Sequence, residues 1–147
     1  MEDEMKRATA TLLLFLIVTT LFAEGLEPSA IVVKKNFPDG YNIIKQAAIT
    51  KWDTDSTMIL YEINNQCSSL MNVLEKAVTP ETGDMSVFIQ VAIKWSIEGW
   101  QPYNKKLYDS ILDGNGSDFL KAIFGMHCNW TMVEYEYNNQ IKAAAAY

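Results

Sequence analysis

The sequence predicts a mainly β, antiparallel fold with one short helix near its N-terminus, and three stretches carry that expectation. Over residues 86–96, Val87, Ile89, Val91, Ile93 and Trp95 alternate with Phe88, Gln90, Ala92 and Lys94, placing the large aliphatics on one face of a strand of period two. Residues 58–63 are rich in β-branched and aromatic side chains, including Ile59, Tyr61 and Ile63, which suit a pleated surface. Residues 127–137 have the same character, through Trp130, Thr131, Val133, Tyr135 and Tyr137.

A second periodicity runs through the same stretches. Leu60, Ile63, Cys67, Leu70, Leu74 and Val78 fall at steps of three and four, as do Phe119, Ile123, Met126, Trp130, Val133, Tyr137 and Ile141. These stripes define the alternative, an all-α four-helix bundle. Periodicity alone does not decide between the two for short apolar segments.

In chain order, Lys6-Arg7 precede the apolar run 12–18, and Ala23-Glu24-Gly25 offers small residues for cleavage after Gly25. That is the layout of a secretory signal peptide over residues 1–25. The run is well short of the roughly 20 residues that cross a bilayer, so no membrane association is expected after cleavage. Residues 26–36 form a short lead, and Phe37-Pro38-Asp39-Gly40 is a turn. From Tyr41 the positions of Ile43, Ile44, Ala47 and Ala48 give the short helix. Asp53-Thr54-Asp55-Ser56 makes a corner, and residues 79–84 make a second turn. Gly99 and Pro102 interrupt the stretch after Trp95, and residues 113–117 are the strongest loop signal. No repeat or low-complexity linker is apparent over residues 26–139, so residues 26–147 are expected to form a single domain.

Loss of the leader would remove Glu2, Asp3, Glu4, Lys6, Arg7 and Glu24, changing the net charge from −6 to −4. Every basic residue that remains is a lysine, and the acidic balance opposes polyanions, so nucleic acid is not an expected partner. Cys67 and Cys128 are the two cysteines. In an oxidising compartment a disulfide between them would contribute on the order of 3–4 kcal/mol in the loop-entropy model. Asn115-Gly116-Ser117 and Asn129-Trp130-Thr131 are sequons that place candidate glycans on Asn115 and Asn129.

Catalytic chemistry finds little support. His127 is the one histidine, and it adjoins a cysteine expected to be oxidised rather than nucleophilic. Gly-x-Ser-x-Gly, His-Glu-x-x-His and phosphate-cradling glycine motifs do not occur. Asp53 and Asp55 begin like a Ca²⁺ loop, but Thr57 and Met58 stand where it needs an acid or amide and a glycine, so a capping corner is the better reading and no metal or cofactor is expected. Trp52, Tyr61, Trp95, Trp100, Tyr103, Tyr108, Trp130, Tyr135 and Tyr137 lie among Asp53, Asp55, Glu62, Glu98, Glu134 and Glu136. Aromatic faces with a few carboxylates suit a small organic cation, although such aromatics more often serve as core.

Residues 37–44, the 48–56 corner, Cys67 with Pro80-Glu81 and Val87-Phe88-Ile89, and the 128–135 stretch together resemble pieces of the tick salivary lipocalins, the group that includes histamine-binding proteins. The resemblance implies a truncated or divergent lipocalin-like antiparallel barrel, closed at one end by the short helix. It also implies a secreted, monomeric, non-enzymatic protein that sequesters a small host mediator, either a biogenic amine such as histamine or serotonin, or a lipid. Trp52, Asp53, Asp55, Tyr61 and Trp95 are then the expected ligand contacts at the barrel mouth. The all-α alternative implies instead a secreted effector that binds a protein partner.

Overall fold

The computed structural model describes residues 25–96 and 122–146. The leader, Trp100, Tyr103, Tyr108 and the Asn115 sequon lie outside them. Five helices organise the described chain: α1 (Pro28–Asn36), α2 (Pro38–Trp52), α3 (Ser56–Val78), α4 (Met85–Lys94) and α5 (Trp130–Ala145). The described residues contain no strand beyond an isolated antiparallel bridge between Ser96 and Cys128. The expected β-barrel is therefore corrected to an all-α fold, in line with the helical alternative.

Each expected strand is helical for an identifiable reason. In α3 the three-four stripe outweighs the local β preference of Ile59, Tyr61 and Ile63; Ile63, Cys67 and Leu70 of the expected stripe are buried, but beyond them Val73 and Ala77 face the core in place of the half-buried Leu74 and the exposed Val78. Asp55 starts the helix by accepting from the Met58 N–H at 3.0 Å. In α4 the period-two reading assigns Phe88 and Ala92 to the polar face, yet both are fully buried beside Ile89, Val91 and Ile93. A short helix buried nearly all round has no polar stripe with which to declare its period. Asp84 caps it by accepting from the Val87 N–H at 3.0 Å. In α5, Trp130, Val133 and Tyr137 form the buried stripe, and Asn129 caps the first turn.

The short helix expected from Tyr41 begins earlier, with Pro38 in the first turn where a missing N–H costs nothing. The lead segment is also helical, as α1, and is tied down by one side chain. Asn64 of α3 accepts from the Glu27 N–H at 2.9 Å and donates to the Gly25 carbonyl at 3.0 Å. α1 packs on α2 and α3, α2 on α3, α3 on α5 and α4 on α5. At the start of α2, Phe37 stacks on Phe124 with ring centroids 3.5 Å apart. Gly40 lies so close to the Phe124 carbonyl that a Cβ would come within 2.5 Å of it. Tyr137 links the far end, accepting from the Asp84 N–H at 3.0 Å while meeting Phe88 edge-on.

The expected disulfide does not form. Cys67 is fully buried in the core stripe of α3, whereas the Cys128 thiol, before α5, donates to the Ala92 carbonyl at 3.2 Å. Burial pushes the Cys67 thiol up to about 12, which keeps it protonated and unreactive.

Candidate functional site: two equivalent helix joints

The α2–α3 joint is built around one carboxylate. α2 ends in Lys51-Trp52, and Asp53 then turns the chain at φ 51° and ψ −103°, a positive-φ conformation, outside the left-handed helical region, that favours glycine. Glu62, two turns into α3, receives Lys51 Nζ at 2.9 Å, Trp52 Nε1 at 3.3 Å and Gln66 Nε2 at 2.9 Å. Lys51 also sits over the Trp52 ring, 5.1 Å from its centroid. Burial alone would raise the Glu62 pKa, but the hydrogen bonds from Lys51, Gln66 and Trp52, with the lysine charge, outweigh it and hold the group below the ordinary carboxylate value.

The α4–α5 joint repeats that arrangement. α4 leads into Lys94-Trp95, and Glu136, two turns into α5, receives Lys94 Nζ at 2.7 and 2.9 Å, Trp95 Nε1 at 2.6 Å and Gln140 Nε2 at 3.1 Å. Lys94 lies over the Trp95 ring at 5.7 Å. The hydrogen bond from Lys94 is the main reason that Glu136 too titrates below its ordinary value, helped by Trp95, the lysine charge and Gln140.

The contacts coincide because the residues do. Thr57-Met58-x-x-Tyr61-Glu62-x-Asn64-Asn65-Gln66 recurs as Thr131-Met132-x-x-Tyr135-Glu136-x-Asn138-Asn139-Gln140, identical at seven of ten positions. Gln46-x-Ala48-Ile49-x-Lys51-Trp52 recurs, one residue shorter, as Gln90-x-Ala92-Ile93-Lys94-Trp95. The expectation that residues 26–139 hold no repeat is thus corrected: the chain carries two copies of a helix–joint–helix unit. The signal is present in the sequence but has no constant period, because only residues 53–55 separate the arms of the first unit while residues 95–129 separate those of the second.

Most of the repeated residues have internal work. Lysine, tryptophan, glutamate and glutamine form the two braces, Asn64 holds the N-terminal segment, and Asn138 accepts from Lys76 at 3.0 Å. Gln66 does more than its counterpart: it is buried, accepts from the Trp130 N–H at 2.7 Å and donates to Thr131 at 3.0 Å, joining the first unit to the start of α5. Tyr61 and Asn65 on α3, and Tyr135 and Asn139 on α5, are different. Each pair lies four residues apart on an exposed face, with Tyr61 58% and Tyr135 64% exposed. None of the four side chains makes a hydrogen bond, ion pair or ring contact.

The five residues expected to line a ligand mouth are distributed among these roles. Trp52 and Trp95 are half-buried donors to Glu62 and Glu136. Asp53 is the exposed turn residue and Asp55 the cap of α3. Tyr61 faces outward. Trp95 alone of the five lines a cavity of about 300 Å³ between the two units. Asn129 is exposed, but its side chain caps α5 and accepts from Thr131 at 2.8 Å, so a glycan there would compete with the cap. Glu62 and Glu136, the centres of the braces, are missing from the expected site; comparing the chain with itself would have singled them out. No group of three or more His, Cys, Asp or Glu that could hold a metal occurs among the described residues. Comparison with protein-family models, curated proteins and solved structures finds no match.

Proposed function

We propose that the chain is a non-catalytic helical module that binds a protein partner through two equivalent outward faces, Tyr61 with Asn65 and Tyr135 with Asn139. The observation that carries this reading is selective retention. Buried counterparts in the two units are free to differ, as Ile63 and Tyr137 do, although Ala48 and Ala92 do not, while these exposed side chains, with no structural task, are the same. Tyrosine is enriched in interaction hot spots because it presents a large amphipathic surface at low entropic cost, and an asparagine one turn away adds a directional donor and acceptor. Two such faces on helices that pack against each other give a partner with two matching epitopes an intramolecular second contact. If residues 1–25 are a cleaved leader, the module acts outside the cell.

The test places a photo-crosslinking side chain at position 61 or 135 of the full chain, with position 32 on α1 as control. The same partner is expected from both sites and not from the control. Y61A/N65A or Y135A/N139A alone should weaken binding at least tenfold, and all four substitutions should abolish it. Unrelated products from the two sites, or undiminished binding by the quadruple variant, would refute the reading.

A further inference from the structure

The cavity beside Trp95 supports an inference that is independent of the docking faces. We propose that it is a binding site for a small, uncharged, apolar molecule of one or two rings or a short alkyl chain. Its walls are Ile43, Ile44 and Ala47 of α2, Trp95 after α4, and the Glu62–Gln66 and Cys128–Asn129 edges. At about 300 Å³ it lies at the lower end of the range of small-molecule pockets.

The polar atoms at its edges decide the chemistry: His127, exposed at the rim, is the one lining polar side chain with no hydrogen bond among the described residues, and the others are already engaged. Glu62 is already neutralised by Lys51 and also accepts from Trp52 and Gln66. The Gln66 amide is spent on Glu62, Thr131 and the Trp130 N–H, and the Trp95 N–H on Glu136. The Cys128 thiol donates to the Ala92 carbonyl. A cationic amine would have to displace Lys51 from Glu62, or settle for the exposed His127 rim with no free carboxylate for its charge in a partly buried site, and either course carries a desolvation cost. A guest that needs no hydrogen bond meets the Ile43, Ile44 and Ala47 wall and the indole without breaking anything.

Comparison of the two units points to the residue that keeps the space open. Ala47 of the first unit aligns with Val91 of the second, and Val91 is buried in the core while Ala47 is exposed at the cavity. A larger side chain at position 47 should fill the chamber from an exposed helix face, with little effect on folding.

The test titrates the full chain with 1-naphthylamine, a two-ring probe uncharged at neutral pH, and follows its fluorescence. A saturable signal of one probe per chain is expected, together with at least threefold slower alkylation of Cys128. A47F should weaken binding at least tenfold while keeping the helical circular-dichroism spectrum, and V32F on α1 should bind as the parent does. Naphthalene should displace the probe and serotonin should not. Absence of saturation, undiminished binding by A47F, or displacement by serotonin as effective as by naphthalene would overturn the proposal. Loss of partner binding at the tyrosine faces would leave it standing.

Discussion

Gln66 and Gln140 occupy the same position in the two units, yet replacing them should have very different consequences. Methionine keeps the length of the side chain and removes its hydrogen bonds. In Q66M the Trp130 N–H, paired at 2.7 Å in a buried site, loses its acceptor. An orphaned buried donor costs about 1–3 kcal/mol. Glu62 also loses one of its three donors and the link to Thr131 goes, each at about 0.5–1.5 kcal/mol. The expected total is on the order of 3 kcal/mol, or a midpoint lowered by roughly 10–20 °C in a domain of about 100 residues. Gln140 is exposed and makes a single bond to Glu136, so Q140M should stay within about 0.5 kcal/mol of the parent. Urea and thermal unfolding followed at 222 nm give both values. Equal effects of the two substitutions, or a Q66M change under about 0.5 kcal/mol, would refute the claim that Gln66 joins the units.

Three further outcomes follow from the joints. Both brace glutamates titrate below their ordinary value when folded, so their contribution is complete above the unfolded carboxylate pKa and fades as pH falls through the folded values; an E62Q/E136Q variant should be less stable at pH 7 and show a flatter acid limb in denaturant midpoint against pH. Asp53 holds a positive φ that glycine adopts freely, so D53G should raise stability by up to about 1 kcal/mol in urea unfolding. Gly40 has no room for a Cβ against the Phe124 carbonyl, so G40A should cost about 1–3 kcal/mol and lower the thermal midpoint.

The sequence carries more of this fold than the β reading extracts from it. The stripe from Ile63 through Cys67 and Leu70, the Asp55 cap and the turn at residues 79–84 all appear as their spacing implies. The error arises where side-chain type competes with spacing: Ile59, Tyr61, Val87 and Ile93 favour a pleated surface, and only packing among α3, α4 and α5 reverses that preference. At the site, Trp52 and Trp95 are legible as residues of interest. Their task is not, because an indole N–H aimed at a carboxylate ten or more residues away leaves no local pattern. The repeated Tyr-Glu-x-Asn-Asn-Gln was readable without any structure, but only by comparing the chain with itself at unequal offsets.

The second unit closes its joint differently from the first. Where residues 53–55 turn directly from one helix to the next, the Trp95 carbonyl receives the Asn129 N–H at 3.2 Å, and Ser96 bridges to Cys128. Residues 95–96 and 128–129 are thus pinned to each other at one point, much as two roads meet at a junction. That pinning has a lasting product: it holds His127 and Cys128 at the cavity edge, a wall that the short corner of the first unit has no means to supply.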